Sequence, residues 1–426
     1  MRKYILPILI ALNLISYMSF YIKVAEPIIH FTSISIFLSI LYIVIVIVIK
    51  NENLKQNQII SLIAFGILFR IILFPIGPIA SDDVYRYIWD GKVQYNGYNP
   101  YTYSPNDEAL KHLYSETFPS KINFPHLKTI YPPYSQWMFL LSYVISGEAI
   151  WGIKLLLLLS EIATMILIFF TLRNFKFEEK YSLIYALSPL PILQFFIDSH
   201  VDGFGITLLA LFFYFISKNK LLYAYFTLGF SLVSKFITIM IYPFLLKGRS
   251  IKNFIYVNIV PIVTVALIYL PYSIDGFPFE SLFIFAQKWY SNGVIFTLSQ
   301  KIFTDNFTAR IISLSLFFLS FVWLYFSKKN LTEKIYLIFV LFFIFSPVVH
   351  PWYLSWVVLL TALNFRWSGV LFISTISISN IYALNYILHQ KWTMNEWLLI
   401  VEYLPVIILL LVEEFGRRKS GIIIHE

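Results

Sequence analysis

Long, uninterrupted runs of apolar residues recur along this chain from Tyr4 to Leu411. Each run extends for about 15–22 residues, close to the length that a helix needs to cross a bilayer. The runs do not alternate between apolar and polar residues, so they are typical of helices and not of barrel strands. Because lipid offers the backbone no hydrogen-bonding partners, only helices and closed barrels cross it. The pattern predicts an all-α, polytopic membrane protein.

The composition supports this prediction and excludes several classes of function. Hydrophobic residues make up 59% of the chain and charged residues only 13%, too few charges to keep a folded domain in water. The absence of cysteine excludes disulfides, thiolate metal sites and cysteine nucleophiles. The net charge of +9 is explained by basic residues in short loops, so we expect membrane lipids and no nucleic acid as partners.

The apolar runs divide residues 1–426 into about 12–14 spans of a single membrane domain. The first run resembles a signal peptide, but it lacks a convincing cleavage site, so we expect a retained helix. The expected spans are residues 4–22, 28–49, 59–77, 150–172, 181–197, 203–216, 221–234, 236–246, 252–271, 307–327, 334–348, 352–364, 367–388 and 397–413.

The basic residues predict how the spans are oriented in the cell inner membrane. With a cytoplasmic N-terminus, the loops on the cytoplasmic side collect the lysines and arginines, as the positive-inside rule requires. Residues 78–133 and 272–306 are then long extracytoplasmic loops, and residues 134–147 lie along the outer surface as a juxtamembrane helix. The basic residues assigned to the cytoplasm are Lys50, Lys55, Arg173, Lys176, Lys180, Lys218, Lys220, Lys247, Arg249, Lys252, Lys328, Lys329, Lys334, Arg417, Arg418 and Lys419.

Two adjacent acidic residues follow the third span, at the start of the first long loop. Asp82 and Asp83 would lie close to the lipid headgroups, where an ionised carboxylate can accept the proton of an attacking hydroxyl. Helical spacing places Asp82, Arg86 and Asp90 on one face, and the fork of Arg86 suits a carboxylate or a phosphate. The competing interpretation is a solvated helix cap with an ion-paired first turn.

A second polar segment joins two later spans on the same outer face. Asp198 and Asp202 flank His200, a pattern that suits binding of substrate hydroxyls. A divalent cation is the alternative, although three ligands are few and no further His or Glu follows at metal-binding spacing. We expect a substrate-facing polar loop with no assigned metal or cofactor, and the divalent cation stays open.

Two more segments place polar side chains near this face. Lys235 interrupts two apolar stretches, and a charge at membrane depth is costly enough to indicate a function such as phosphate binding. A snorkelling lysine is the alternative. His350 and Tyr353 belong to a His-Pro-Trp-Tyr turn, in which His350 can donate to a phosphate or sugar oxygen. A structural turn with interfacial aromatic residues competes with that interpretation.

Together these groups fit a lipid-linked phosphate substrate. A departing lipid phosphate develops negative charge, which Arg86, Lys235 and His350 could stabilise. A hydroxyl acceptor needs a base, which Asp82 or Asp83 could supply. No Walker loop or dinucleotide-binding glycine pattern occurs, so a soluble nucleotide donor is not supported.

The acidic pair, the large outer loop and the Tyr131-Pro132-Pro133 element resemble the C-type glycosyltransferase fold. Within that fold, the segment from Asp82 to Gly91 is similar to bacterial polyprenol-phosphate-mannose-dependent mannosyltransferases, as are Asn99-Pro100-Tyr101 and His350-Pro351-Trp352-Tyr353. The resemblance covers most of residues 59–365.

The resemblance implies roles for several residues. Asp82 or Asp83 would be the catalytic base, Lys235 would meet the lipid phosphate, and Tyr131 would lie where the juxtamembrane helix shapes the substrate cavity. In the family the acidic pair usually follows the first span, whereas here it follows the third. We therefore interpret residues 1–58 as an added N-terminal helical hairpin.

The expected function is transfer of a sugar, with mannose the first candidate, from a polyprenyl phosphate to a hydroxyl of a glycan or lipid-linked acceptor. The reaction would take place on the extracytoplasmic face. It would invert the configuration at the anomeric carbon, since the sequence shows a candidate base but no candidate covalent nucleophile. One alternative is a lipid or polysaccharide transporter or flippase, which would carry polar residues around a midplane site. An O-antigen-type ligase or polymerase is the other alternative, but it needs a markedly basic outer loop.

Overall fold

The fold is all-α throughout the part of the chain that the computed structural model describes, which is residues 2–246, 251–274, 278–391 and 395–420. Within these ranges the only β pairing consists of isolated bridges from Ser291 and Asn292 to Val348. The loop positions 275–277 and the predicted cytoplasmic Lys247 and Arg249 lie outside the described residues. The same holds for the side chains of Lys252, Arg417, Arg418 and Lys419.

Twenty α-helices occur in the described residues, and short 3₁₀ turns connect several of them. Their bounds are α1 (Arg2–Met18), α2 (Pro27–Asn51), α3 (Gln56–Leu73), α4 (Asp83–Tyr95), α5 (Pro133–Ser146), α6 (Trp151–Asn174), α7 (Ser182–Ala186), α8 (Pro189–Phe196), α9 (Asp202–Ser217), α10 (Leu221–Leu232), α11 (Tyr242–Leu246), α12 (Ile251–Tyr269), α13 (Glu280–Lys288), α14 (Val294–Phe303), α15 (Asn306–Phe326), α16 (Leu331–Phe345), α17 (Ser355–Leu363), α18 (Trp367–Thr375), α19 (Asn380–His389) and α20 (Glu396–Ser420).

Seven helical segments in the described residues are long and apolar enough to cross a membrane, so the prediction of a polytopic, all-α membrane protein is confirmed. They are Tyr4–Tyr21, Pro27–Asn51, Gln56–Leu73, Trp151–Asn174, Phe254–Tyr272, Asn306–Phe326 and Trp367–His389. Most of the other expected spans are shorter helices, such as α9 with 16 residues and α10 with 12. The run expected at 181–197 is broken between α7 and α8 at Ser188, because a residue before proline disfavours helical backbone.

Two compact units make up the chain. The first unit consists of residues 1–69, 176–191 and 290–426, and the second of residues 70–175 and 192–289. In the first unit the N-terminal helices α1 and α2 pack against each other, and α2 also contacts α18 and α19. A fully buried carboxylate, Glu402 of α20, accepts a hydrogen bond from Asn292 Nδ2 at 2.8 Å and fixes the segment before α14.

The second unit contains the acidic motif, carried by α4, and α4 packs along α5. The crossing is close because Gly91 has no side chain: a Cβ there would collide with the backbone carbonyl oxygen of Phe139 in α5. Behind this pair, α6 packs on α9, α9 on α10, and α10 on α12.

A buried ion pair lies in the second unit, which begins at Arg70. Arg70 of α3 donates from Nε and Nη2 to Glu161 Oε2 of α6, at 2.9 and 2.8 Å, and both side chains are fully buried. A buried charge is tolerated only when it is paired, so each of these two side chains supplies the partner that the other needs.

Candidate active site

The two acidic side chains at the start of α4 converge on one amide. Asn123 Nδ2 donates to Asp82 Oδ1 at 2.8 Å and to Asp83 Oδ1 at 2.9 Å. The Asp82 side chain makes no helix-capping hydrogen bond; the hydroxyl of Ser81 instead accepts from the Asp83 backbone N–H at 3.3 Å. The pair is therefore held across a loop by Asn123 and does not serve as a simple solvated cap.

The two carboxylates differ in their surroundings. Asp82 is exposed, whereas the Asp83 side chain is 23% exposed and its Oδ2 lies 3.7 Å from Nδ1 of the buried His200. Burial raises the pKa of Asp83 to about 6, with Asp82 adding to the rise and the Asn123 hydrogen bond and the Lys235 charge opposing it. Asp83 is therefore ionised at neutral pH but more basic than an ordinary carboxylate.

A cation lies in the same cluster. The Lys235 ammonium forms an ion pair with Asp202, which stands at the start of α9 and is buried. Lys235 lies three residues beyond the end of α10, in an extended conformation that begins a 3₁₀ turn, and its side chain is 28% exposed. Its charge also acts on Asp83, so the cluster joins a base to a positive group suited to a phosphate.

Asp198 supports the backbone that precedes the acidic pair. Its Oδ1 accepts the N–H groups of Ile79 and Ala80, each at 2.8 Å, and the residue is 1% exposed. Burial raises the pKa of Asp198 to about 6, and the hydrogen bonds that it accepts from backbone N–H groups oppose this rise. In the structure Asp198 therefore positions this loop, and its contact with substrate stays a prediction.

A lysine holds the same loop from α6. Lys154 Nζ donates to the carbonyl oxygens of Phe74 at 3.3 Å and Phe196 at 2.6 Å, and also to that of Ile76. These carbonyls lie just beyond the end of α3 and at the end of α8, where a cation complements the helix dipole. Lys154 and Asp198 together fix residues 74–80.

Arg86 and Asp90 also turn inward, and their contact with substrate stays a prediction. The helical spacing holds, and Arg86 Nε pairs with Asp90 Oδ1 at 2.8 Å, both residues being buried. Arg86 Nη1 donates to the Leu127 carbonyl at 2.9 Å, and Gln136 Nε2 donates to Asp90 Oδ2 at 2.9 Å. The pair connects α4 to α5 and to the segment before it, since a buried charge is stable only with such partners.

Tyr131 forms part of an aromatic wall beside α4. Its ring is edge-on to Tyr87 at 5.0 Å and to Phe139 at 5.5 Å, and its carbonyl accepts from the Tyr101 hydroxyl at 2.6 Å. The residue is half-buried, so part of it remains accessible to a substrate. Contact with substrate stays a prediction for Tyr131.

His350 and Tyr353 belong to the first unit. The His350 ring stacks on Trp352, with centroids 4.4 Å apart and planes inclined by 3°, and lies edge-on to Tyr353 at 5.4 Å. Both residues are half-buried in this aromatic turn. Their part in substrate binding stays a prediction.

The structure gives the three residues of the predicted polar loop three different neighbours. Asp198 binds the backbone at residues 79–80, His200 faces Asp83, and Asp202 pairs with Lys235. Among the described residues, no group of three or more His, Cys, Asp and Glu side chains has an arrangement that suits a metal ion. The divalent-cation alternative therefore gains no support from this loop.

Asn123 is the site residue that sequence reasoning missed. It is a single asparagine in an irregular segment, about 40 residues beyond the acidic pair, so no spacing rule connects it to Asp82 or Asp83. The only available signal was the length of the loop, since long loops in compact domains are usually functional.

Comparison with known proteins identifies the family. A family model described as alpha-(1->6)-mannopyranosyltransferase, N-terminal domain, matches residues 16–247, which is more than half of the chain. A comparison with curated proteins found no match. The matched region contains the acidic pair, Asn123, the 198–202 segment and Lys235, and it fits the C-type glycosyltransferase fold that the acidic motif indicated. The chain therefore belongs to the MptA_B family of mannosyltransferases and is a membrane glycosyltransferase.

Proposed function

We propose that the protein transfers mannose from a polyprenyl-phosphate donor to a hydroxyl of a glycan or lipid-linked acceptor, on the extracytoplasmic face of the cell inner membrane. The observation that carries the proposal is the cluster in which Asp83, held by Asn123, lies beside His200 and within the field of Lys235. A partly buried base next to a cation is what a hydroxyl nucleophile and a phosphate leaving group require.

The reaction is a single displacement. The acceptor oxygen forms a bond to the anomeric carbon while the bond from that carbon to the phosphate oxygen breaks. The acceptor proton passes to Asp83, and the electron pair of the broken bond leaves with the polyprenyl phosphate. One displacement inverts the anomeric centre, so an α-linked product, as the family description names, requires a β-linked donor.

Asp83 is the better candidate for the base. Its carboxylate is mostly buried, and the raised pKa, about 6, lets it accept a proton near neutral pH. Asp82 is exposed, and its side chain has in common with that of Asp83 only the hydrogen bond from Asn123. We assign Asp82 to holding Asn123 in place.

Lys235 is the candidate for the phosphate contact. Its ion pair with Asp202 keeps the ammonium beside the base, and its partial exposure leaves room for a second anion. A point charge of this kind compensates the negative charge that grows on a departing phosphate. Arg86 is not assigned this role, because Asp90 and the Leu127 carbonyl hold it inside the fold.

The transporter and ligase alternatives are weaker. Family membership favours transfer of mannose over movement of a finished lipid or glycan. Neither alternative gives a reason for a mostly buried carboxylate whose two oxygens face Asn123 and His200. A transporter would also work without consuming a lipid-linked sugar.

The test is a transfer assay with purified protein in liposomes. Polyprenyl phosphate carrying radiolabelled mannose is mixed with an α-(1→6)-linked mannose oligosaccharide, and wild type is compared with Asp83→Asn, Asp82→Asn and the control Asp107→Asn. Loss of a general base lowers the rate by about 10²–10⁴-fold, so Asp83→Asn should lose nearly all transfer while Asp107→Asn keeps it. Asp82→Asn should fall between them.

A stability measurement on the same variants separates catalysis from folding. A carboxyl group whose pKa is higher in the folded protein stabilises the fold at low pH, and this contribution is lost as the pH rises through about 6. Ionised Asp83 therefore costs stability at pH 7.5, and Asp83→Asn should have an equal or higher Tm there. Full transfer by Asp83→Asn, or no transfer by wild type from any lipid-linked sugar, would refute the proposal.

A further inference from the structure

Phe124, the residue after Asn123, has a backbone that its side chain does not favour. Its φ is 48°, in the left-handed region, and its side chain is 48% exposed. A bulky residue in that region is a genuine outlier and persists only where the surrounding structure enforces it. Such outliers are enriched at ligand-binding sites, so the exposed ring makes Phe124 a candidate for ligand contact when its neighbours are considered with it.

Two further aromatic rings extend the surface that Phe124 begins. Phe124 lies edge-on to Trp289, with centroids 5.0 Å apart and planes at 75°, and Trp289 stacks on Phe285 at 5.5 Å and 29°. Lys128 Nζ pairs with Glu280 Oε2 at 2.7 Å, which ties the same loop to the start of α13. We call Phe124, Phe285 and Trp289 the aromatic platform; all three belong to the second unit.

The aromatic platform begins one residue from the amide that holds the base. Neighbouring Cα atoms are about 3.8 Å apart, and Asn123 contacts both Asp82 and Asp83. A ligand resting on Phe124 therefore lies against the loop whose Asn123 holds the carboxylate pair.

We propose that the aromatic platform is the acceptor subsite, on which a pyranose ring of the acceptor glycan stacks while its attacking hydroxyl faces Asp83. This inference rests on the proposed function and adds the group that selects the acceptor. A pyranose has an apolar face of C–H groups and an edge of hydroxyls, so an aromatic surface covers the face and leaves the hydroxyls for polar groups. The Lys128–Glu280 pair beside the platform offers donors and acceptors for the remaining hydroxyls.

The experiment compares Phe124→Gly, Phe124→Ala and Phe124→Tyr with wild type, using an α-(1→6)-linked mannose trisaccharide as acceptor. Glycine adopts the left-handed backbone without strain, so Phe124→Gly removes the ring and spares the loop. The acceptor KM should rise about tenfold in the glycine and alanine variants, the loss expected for one aromatic contact, with the donor KM unchanged. Phe124→Tyr keeps the ring and should keep the acceptor KM.

Phe283→Ala is the matched control. Phe283 is an exposed phenylalanine of the same helix, α13, and it lies two positions from Phe285, so the two side chains point to different faces. Its replacement should leave the acceptor KM as in wild type. An equal rise in the acceptor KM for Phe283→Ala and Phe124→Gly would overturn the inference.

Two further readouts separate this inference from the proposed function. Slow hydrolysis of the donor without acceptor needs Asp83 but not the platform, so Phe124→Gly should keep it and Asp83→Asn should lose it. Loss of this hydrolysis in Phe124→Gly would show that the ring only supports the base. Saturation-transfer NMR with the trisaccharide alone tests the platform even if wild type turns over no donor, and equal binding by wild type and Phe124→Gly would refute it.

Discussion

Asn123 sets both the position and the basicity of the proposed base. Its amide donates to Asp83, and that hydrogen bond stabilises the ionised carboxylate and opposes the rise in the pKa caused by burial. The balance leaves the pKa of Asp83 at about 6, which predicts that transfer falls as the pH falls through that value.

Replacing Asn123 with alanine should move this limb of the pH profile. Without the amide the pKa of Asp83 rises further, so the pH of half-maximal kcat/KM should shift upwards in Asn123→Ala. Asn106→Ala is the control, because Asn106 is an asparagine of the same loop, residues 78–133, that hydrogen-bonds to Ser104 instead. A lower rate with an unmoved midpoint would mean that Asn123 supports the loop without tuning the base.

The sequence patterns predicted which kinds of side chain form the site better than they predicted which residues those side chains contact. The four-residue spacing correctly placed Arg86 and Asp90 on one helix face, yet it could not show that this face turns inward to Leu127 and Gln136. Contacts between distant segments depend on how the helices pack, and no repeating pattern in the sequence reveals that packing. The contacts of Lys235 with Asp202 and of Asn123 with Asp83 are of this kind.

At the scale of helices, the crossing of α4 and α5 fixes where the acidic pair points. The crossing depends on Gly91, since a Cβ there meets the backbone of Phe139, which cannot swing away as a side chain could. Gly91→Ala should therefore lower the free energy of unfolding by about 1–3 kcal/mol through overpacking, and reduce transfer as α4 shifts.

Thermal unfolding in detergent checks this prediction, with Gly77→Ala as the control. A Cβ at Gly77 meets nothing within 4 Å, so alanine there should leave the Tm close to that of wild type. Equal Tm values for the two variants would show that α4 and α5 can separate without cost.

Helices were predictable where hydrophobicity alone determines them. The seven long segments were all expected from their apolar runs, because lipid requires a continuous helix. Sequence reasoning treated 181–197 as one span, whereas the structure ends α7 at Ala186 and restarts at Pro189. Such breaks are tolerated where protein surrounds the backbone, which the hydropathy of a run cannot reveal.

At the scale of the whole molecule, the proposed orientation places the reaction outside the cytoplasm. The sequence contains no cysteine, so an introduced cysteine provides the only thiol of this chain for labelling. In intact cells, a membrane-impermeant maleimide should label Ser120→Cys, in the loop of residues 78–133, and leave Lys55→Cys unlabelled until the cells are opened. Both positions are exposed, so access depends on the side of the membrane alone. The reverse labelling pattern would place the active site in the cytoplasm.

The Arg70–Glu161 ion pair also bears on how the protein enters its membrane. Arg70 lies near the end of α3, and its long side chain can reach the headgroups while the later helices are still being synthesised. Glu161 lies ten residues into α6, too deep to do the same, so it needs a waiting cation as it enters the lipid. Because α3 is synthesised before α6, Arg70 is already present when Glu161 enters the membrane. We therefore expect membrane insertion of α6 to depend on Arg70, because a nascent chain without Arg70 would leave the Glu161 carboxylate unpaired.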